Sequence, residues 1–237
     1  MISVHVGHIM RGLKCVIAKM STVTVWGGVV AILSITAAKS QEVRVIDGDT
    51  FTLGDQKYRL HGIDAPEPGQ RCSHPDGGSW RCGHAAASLL KDLTSKGQME
   101  CDHRGIDPYD RILALCRAGG SDIGETMVLV GLAWAFRIYS LEYVVQEDLA
   151  RASGKGIWQA PTQTAEDFRA ERWKVAKQTA PEGCPIKGNI SRNGHIYHVP
   201  WSRMYDRTKL SVEKGERWFC NEREALDAGW RQPFYDQ

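Results

Sequence analysis

Short apolar runs separated by acidic turns limit the folds open to this chain. The alternating runs 43–46 and 50–53 flank Asp47-Gly48-Asp49, and the run 58–63 follows the turn at Gly54-Asp55. Alternation with a period of two, bounded by Gly and Asp, is typical of β-strands joined by tight turns. We therefore predict a three-stranded meander with polar side chains at its turns.

The next hundred residues add helical and strand patterns. The predicted elements are, in chain order, a helix at 85–96, strands at 99–104 and 112–117, and helices at 123–132 and 141–152. The first helix has Leu89, Leu90 and Leu93 on one face. Five strands with about three helices predict an α+β fold. These patterns alone do not separate a closed barrel from other small folds of this class.

Three carboxylates and two guanidinium groups recur at the turns and strand ends, namely Asp49, Asp64, Glu67, Arg59 and Arg111. Carboxylates supply hard oxygen ligands for a divalent cation, guanidinium groups pair with phosphate, and a carboxylate positions or deprotonates water. Phosphodiester hydrolysis needs this combination. Taken singly, Asp-Gly-Asp is a common turn and an arginine–aspartate pair is a common surface contact. Their joint occurrence favours a catalytic site.

These segments resemble the active-site stretch of the staphylococcal nuclease (thermonuclease) family. The resemblance rests on Asp47-Gly48-Asp49-Thr50-Phe51, on the stretch from Arg59 to Glu67, and on Asp107-x-Tyr109-x-Arg111. It covers residues 42–158 and implies a five-stranded OB-fold β-barrel with about three helices in a domain at 40–160.

The resemblance implies a calcium site. Its ligands would be Asp49, Asp64 and the backbone carbonyl of Ala65, which replaces a carbonyl supplied by threonine elsewhere in the family. Calcium takes about 6–8 oxygen ligands, so waters and a substrate phosphate would complete the shell. Asp47 is the outer acidic position and is expected to support the turn.

The resemblance also implies catalytic and substrate-binding residues. Arg59 and Arg111 would donate charge-assisted hydrogen bonds to the phosphate, and Glu67 would act on the attacking water as base or orienting group. The implied substrate contacts are Tyr109, Arg137 and Tyr139. Arg137 stands where the founding nuclease has a tyrosine, so a guanidinium contact would replace a hydroxyl or stacking contact there.

The N-terminal region has the composition of an export signal. Residues 1–38 contain no Asp or Glu, include Arg11, Lys14 and Lys19, and end in an apolar run at 23–38. This pattern predicts a signal peptide removed before Lys39 and a secreted or periplasmic protein. The alternative is an uncleaved anchor at 22–38 in the inner membrane, although that run is short for a span of about 20 residues.

Cysteine usage agrees with export. Six cysteines remain when Cys15 is removed with the leader: Cys72, Cys82, Cys101, Cys116, Cys184 and Cys220. An even number in an exported chain indicates disulfides, although six cysteines allow fifteen pairings. Positions along the chain favour a Cys72–Cys82 pair around a Gly/Pro loop. They also favour Cys101–Cys116, because a symmetric hairpin with residue 106 opposite residue 111 puts these cysteines face to face.

Charge limits the kind of nucleic-acid contact. The chain has 30 basic and 28 acidic residues, and removal of the three basic leader residues leaves 27 against 28. A protein that binds long nucleic acid by counterion release needs a large basic field. Any nucleic-acid contact is therefore expected to be local to the site.

The C-terminal part divides into a spacer and a small tail. Residues 161–180 are predicted to be a charged linker, in which Thr164-x-x-Asp167 caps a short helix. Residues 181–237 are a tail rich in Gly, Trp and Tyr. Cys184, His195, His198 and Cys220 could bind zinc, but their spacing matches no compact finger, so a Cys184–Cys220 disulfide that staples a mini-domain is preferred.

Together these features predict an exported, monomeric, calcium-dependent nuclease acting on single-stranded or frayed DNA or RNA, with no obligate protein partner. One alternative is a non-catalytic OB-fold binding protein. Another is a role in exopolysaccharide production, because this core with a similar tail resembles proteins of succinoglycan biosynthesis. No residue suggests sugar transfer.

Overall fold

The computed structural model of the protein describes residues 42–236. The predicted leader at 1–38, the alternative anchor at 22–38, Cys15 and the predicted new N-terminus at Lys39 lie outside the described residues. Within residues 42–236, no helix is both long enough and apolar enough to cross a membrane.

Short strands and helices alternate along the chain. The strands are β1 Val43–Val45, β2 Thr50–Leu53, β3 Gln56–Leu60, β4 Ile63–Asp64, β5 Cys72–Ser73, β6 Ser79–Trp80, β7 Met99–Ile106, β8 Ile112–Ala118, β9 Ser121–Asp122, β10 Trp134–Ala135, β11 Ile186–Ser191, β12 Gly194–His198 and β13 Arg217–Phe219. The helices are α1 Cys82–Thr94, α2 Ile123–Leu129, α3 Val144–Ala152, α4 Ala165–Thr179 and α5 Glu222–Asp227. Most strands and helices predicted before residue 160 are present, several with shifted ends, but the run predicted at 58–63 is divided into β3 and β4.

The main sheet of the core has the order β1-β2-β3-β8-β7, and β9 extends it beside β8. Strand β3 pairs with β8 in parallel, whereas β1–β2, β2–β3 and β7–β8 are antiparallel. The short strands β4 and β10 pair separately. This mixed sheet with its helices confirms the α+β class. No described pairing joins β1 to β7, so closure into a barrel stays a prediction.

Helix α1 packs its apolar face on this sheet. Leu90 is fully buried and Leu93 is nearly so, in a core that includes Phe51, Ile63 and Met127. The stripe predicted on this helix therefore faces inward. Burying each large apolar side chain contributes about 1.5–3 kcal/mol, which makes this cluster the main stabilising feature of the core.

The β7–β8 hairpin confirms one disulfide and corrects the register used to predict it. Cys101 lies opposite Cys116 and the two are bonded. Ile106 lies opposite Ile112 rather than residue 111, and a bulge between His103 and Gly105 restores the expected register toward the cysteines. The extra residue in one strand thus offsets the longer turn. The Cys72–Cys82 pair is also formed.

The tail forms a small module with its own core. Strand β11 lies between β12 and β13 in an antiparallel sheet, and Ile186, Tyr197, Phe219 and Trp230 are buried against it. The predicted disulfide joins Cys184 to Cys220. A module of this size builds little core, so the disulfide is expected to contribute substantially to its stability.

Helix α4 packs on the tail, although its composition predicted a spacer. Thr164 caps it as predicted, since its hydroxyl accepts a hydrogen bond from the Asp167 amide at 3.1 Å. Trp173 packs on Trp201 with ring centroids 6.1 Å apart. Arg172 donates to the Pro200 carbonyl at 2.9 Å. One aromatic contact and one side-chain hydrogen bond thus hold α4 on the tail, although the helix has few apolar residues.

The tail also contacts the core directly. The Tyr235 amide donates to the Val45 carbonyl at 2.7 Å, and the Gly69 amide donates to the Trp201 carbonyl at 3.2 Å. The first contact lies on β1, and the second lies two residues after Glu67. The tail and α4 are therefore held beside the predicted catalytic stretch.

Candidate active site

Strand register brings the first carboxylate to the first arginine. Thr50 and Arg59 are cross-strand partners in β2 and β3, and the Leu60 amide donates to the Asp49 carbonyl at 2.8 Å. Paired residues on one face of a sheet lie about 4.5–5.5 Å apart. Asp49, at the start of β2, is consequently placed beside the end of β3.

Arg59 joins the two carboxylates that are predicted to bind calcium. Its Nη2 lies 3.2 Å from Asp49 Oδ2 and donates to Asp64 Oδ1 at 2.9 Å. Asp49 also accepts from the Thr50 hydroxyl at 2.8 Å and from the Ala65 amide at 3.2 Å. Both carboxylates are almost fully buried. Buried carboxylates need such partners, because an unpaired charge is costly away from water.

The Asp47-Gly48-Asp49 turn packs tightly under this cluster. Asp47 Oδ1 accepts a hydrogen bond from the Asp49 amide at 3.0 Å, so Asp47 supports the turn. A Cβ added to Gly48 would lie 2.7 Å from the Cβ atoms of both Ala65 and Ala86. Only glycine fits there without a shift, and this packing sets the turn against α1 and the Asp64–Glu67 stretch.

Glu67 is held between the core and the start of α1. Its amide donates to Gln70 Oε1 at 3.1 Å, and its side chain is largely buried. A Cβ on Gly83 would come within 1.7 Å of the Glu67 carbonyl oxygen. The glycine at the second position of α1 therefore lets the helix approach the backbone of the predicted catalytic residue.

A third arginine, not predicted from the sequence, completes the cluster. Arg169 on α4 donates from Nη1 to Glu67 Oε1 at 2.6 Å and to Asp64 Oδ1 at 3.1 Å. Its Nη2 donates to Asp64 Oδ2 at 3.1 Å. The cluster thus alternates carboxylates with guanidinium groups from β3 and α4.

The sequence contains no local signal that separates Arg169 from its neighbours. Helix α4 is charged along most of its length, and Arg169 lies within two turns of Arg172 and Lys174. The predicted cap at Thr164 indicates where the helix begins, but not which of its arginines faces another domain. Finding Arg169 required the long-range packing of α4.

Burial and mutual repulsion shape the ionisation of the acidic groups. Burial raises the pKa of Glu67 to about 8 against the lowering effect of Arg169. Burial and the Asp49 charge raise the pKa of Asp47 to about 7. Burial would also raise the pKa of Asp49, but Arg59 and Arg111 hold it below its ordinary value. The pKa values of Asp47 and Asp49, at the two ends of this turn, are therefore shifted in opposite directions.

Arg111 is placed by the loop that Asp107 organises. Asp107 Oδ1 accepts from the amides of Tyr109 and Arg111, and Asp107 Oδ2 accepts from Arg111 Nε at 2.6 Å. The positive charge of Arg111, like that of Arg59, lowers the pKa of Asp49. From the tail, Arg223 bonds Asp110 and the Pro108 carbonyl. Core and tail both hold this loop.

The structure does not bring Arg137 into the cluster. Its guanidinium bonds Glu147 at 2.6 Å and Asp148 at 2.9 Å on α3, and no described contact joins it to Asp49, Asp64 or Glu67. Arg137 thus anchors its loop to α3, and its assignment as a substrate contact stays a prediction. Tyr139 is 71% exposed, and Tyr109 is 40% exposed. Both rings are accessible to a substrate.

The oxygen donors suit a hard cation. A carboxylate has about four acceptor positions; Asp64 accepts three hydrogen bonds within the cluster, whereas Asp49 accepts two and forms an ion pair with Arg59. Each therefore has capacity for one further ligand. Among residues 42–236, no group of three or more His, Cys, Asp or Glu side chains forms a ready metal cage. Calcium could bind the two carboxylates and the Ala65 carbonyl only with waters or substrate completing its shell.

The zinc alternative for the tail is ruled out by the bonding of its cysteines. Cys184 and Cys220 form a disulfide, His195 stacks on Trp230 at 4.9 Å, and His198 Nε2 lies 3.0 Å from Asn189 Oδ1. Thiolates are the ligands that structural zinc sites favour, and these sulfurs are oxidised.

Comparisons with known proteins agree with this arrangement. The sequence profile described as "Staphylococcal nuclease homologue" matches residues 57–160, and one described as "ArfC" matches residues 171–232. An uncharacterized endonuclease of Haemophilus influenzae is 30% identical over 172 residues, covering 65% of this chain and 91% of the relative. The micrococcal nuclease of Shigella flexneri is 32% identical over 153 residues, covering 56% and 82%.

A third relative has a different name. The succinoglycan biosynthesis protein ExoI of Rhizobium meliloti is 32% identical over 127 residues, which cover 52% of this chain and 66% of ExoI. The match is thus similar in identity to the nuclease matches but shorter.

The fold and the cluster define a nuclease-type hydrolase site, with carboxylates and arginines around one acidic turn. The chain belongs to the staphylococcal nuclease family, as the extent of the endonuclease and micrococcal nuclease matches shows. This confirms the family resemblance and the enzyme class predicted from the sequence. Arg169 lies between the two matched profiles, outside both.

Proposed function

We propose that this protein is a calcium-dependent nuclease that hydrolyses phosphodiester bonds of DNA or RNA with an activated water. The observation that carries the proposal is the convergence of Asp49, Asp64 and Glu67 on the guanidinium groups of Arg59 and Arg169. Such a cluster offers oxygen ligands, phosphate-binding donors and a carboxylate for water within one small volume.

Each residue has a distinct task in this mechanism. Asp49, Asp64 and the Ala65 carbonyl would hold calcium, which when bound supplies positive charge beside the phosphate. Arg59 donates hydrogen bonds to phosphate oxygens as their charge increases in the transition state. Arg111 uses Nε on Asp107 and offers its remaining N–H groups to the phosphate.

Glu67 is the proposed acceptor of the proton from the attacking water. Arg169 donates to Oε1 of Glu67. No described hydrogen bond involves Oε2, so this oxygen is available to orient or deprotonate water. A carboxylate whose pKa lies near the working pH is suited to general base catalysis. The new P–O bond forms from this water as the bond to the leaving oxygen breaks.

A single-stranded or frayed nucleic acid is the proposed substrate. The exposed rings of Tyr109 and Tyr139 can stack on unpaired bases, and stacking tolerates any base sequence. The near-neutral charge of the chain favours contacts close to the site over a long basic track. We propose that the protein acts as a monomer.

Export remains part of the proposal. The three disulfides suit an oxidising compartment, and the composition of residues 1–38 suits a signal peptide. We propose that the protein is secreted or periplasmic, with an anchor at 22–38 in the inner membrane as the alternative.

The relative from Rhizobium meliloti supports a second candidate, an OB-fold protein with little or no catalysis that serves exopolysaccharide production. A direct assay separates the two. Protein beginning at Lys39 should cleave single-stranded DNA in calcium and stop when a chelator is added. Glu67→Gln, matched to wild type in thermal stability, should bind calcium by titration calorimetry but turn over poorly. Wild-type protein that binds DNA without cleaving it in calcium would favour the second candidate.

A further inference from the structure

Arg169 bridges Asp64, the proposed metal ligand, and Glu67, the proposed base. Nη1 donates to both Glu67 Oε1 and Asp64 Oδ1, at 2.6 and 3.1 Å. Nη2 binds the second oxygen of Asp64 at 3.1 Å. A planar fork of donors fixes both the separation and the orientation of the groups it binds. One guanidinium therefore fixes the position of the proposed metal ligand, Asp64, relative to the proposed base, Glu67.

This bridge leaves room for the proposed chemistry. Asp64 accepts three hydrogen bonds and keeps one of about four acceptor positions, on Oδ2. Glu67 uses only Oε1 on Arg169. A cation can bind Asp64 and a water can bind Glu67 without displacing the guanidinium, so the contact is compatible with a loaded site.

Contacts on both sides hold α4 in the position that delivers Arg169. On the core side, Gln70 Nε2 donates to the Gln163 carbonyl at 2.8 Å, just before the helix begins. On the tail side, Arg172 forms two bonds to Asp206, at 2.9 and 3.0 Å. Arg169 itself is only 23% exposed. A residue supported this way is suited to orienting other groups.

We propose that Arg169 is a positioning residue of the active site, supplied from α4, that holds Glu67 and Asp64 in their working geometry. The inference rests on the proposed nuclease function and extends the site beyond residue 160. Residues that orient metal ligands and bases typically cost about 10–100-fold in activity or metal affinity when removed.

Turnover and calcium binding, measured separately, test this role. Arg169→Ala should lower kcat on single-stranded DNA about 10–100-fold with a smaller change in KM. Calcium affinity by titration calorimetry should stay equal or become tighter, because a neighbouring positive charge is removed. Arg169→Lys should recover part of kcat, since it keeps the charge but not the fork. Added guanidinium ion should partly rescue Arg169→Ala.

Lys174→Ala is the matched control, because Lys174 is an exposed cation on the same helix and no described hydrogen bond or ion pair joins it to the acidic cluster. It should keep wild-type kcat and calcium affinity. Full activity of Arg169→Ala, or increased activity as expected for an inhibitory latch, would overturn the proposal. A parallel loss of kcat, calcium affinity and melting temperature without rescue would do so too. An inactive wild-type protein would instead refute the nuclease function, and this inference with it.

Discussion

Arg59 Nη2 lies 3.2 Å from Asp49 Oδ2, and the Thr50–Arg59 pairing of β2 and β3 places it there. The contact follows from strand register, since Asp49 precedes the first residue of β2 and Arg59 stands one residue before the end of β3. A donor fixed by a sheet is preorganised, and it costs little rearrangement when a phosphate binds.

Replacing either proposed phosphate-binding arginine should reduce turnover without unfolding the protein. We expect Arg59→Lys and Arg111→Lys each to lower kcat on the order of 10²–10³-fold, because lysine keeps the charge but loses the planar fork. Steady-state kinetics on single-stranded DNA, with circular dichroism to check folding, measures the effect. Arg44→Lys is the control, since Arg44 forms an exposed pair with Glu42. Near-normal rates in both site variants would remove these residues from the mechanism.

Parts of this site could be predicted because they depend on neighbours in sequence. The turn at Gly48, the β2–β3 meander and the Cys101–Cys116 pair all follow from local patterns of residues. Even there, the hairpin register was wrong by one at the turn, and the bulge at His103–Gly105 preserved the cysteine pairing.

The remaining parts depend on contacts that local patterns do not encode. Arg169 and Glu67 are separated by 102 positions, and their contact arises only when α4 packs between core and tail. The motif around Arg137 predicts a substrate contact but gives no sign of the ion pairs that its guanidinium forms with Glu147 and Asp148 on α3. The partners of charged side chains are set by tertiary packing, so the roles of these residues are the least predictable from sequence.

All six cysteines outside the proposed leader should be oxidised if the protein is exported as proposed. Intact mass spectrometry without reduction should show a mass lower by about six hydrogens, two per bridge, than that of the reduced protein. The same spectrum should report a chain beginning near Lys39. Alkylation of Cys101 or Cys116 in the native protein would contradict the hairpin disulfide.

Acid should destabilise the tail through His198. Burial, with a smaller contribution from Lys187, lowers the pKa of His198 from 6.5 to about 4. The unfolded chain therefore binds a proton at a higher pH than the folded protein does. The free energy of unfolding falls as the pH drops from 6.5 to about 4. Protonation of this buried histidine should lower the free energy of unfolding by about 3 kcal/mol.

A comparison with His198→Gln isolates this contribution. Other buried groups also titrate, and Glu67 acts with the opposite sign because its folded-state pKa is raised. Urea unfolding followed by tryptophan fluorescence, repeated at pH values between 4 and 7, should therefore show a steeper loss of stability for wild type than for the variant. Identical pH dependence in both proteins would mean that His198 protonates without cost.

The close approach of α1 to the catalytic stretch should make Gly83 intolerant of any side chain. In Gly83→Ala the new Cβ would meet the Glu67 carbonyl oxygen at 1.7 Å, so the helix or the Glu67 backbone must move. Overpacking of this kind typically costs about 1–3 kcal/mol, and here it would also displace Glu67 from Arg169. We expect a lower unfolding midpoint and a lower kcat. Gly78→Ala is the control, because its nearest neighbour is the exposed Asp76 side chain at 3.1 Å. Wild-type stability and turnover in Gly83→Ala would show that this packing does not hold Glu67 in place.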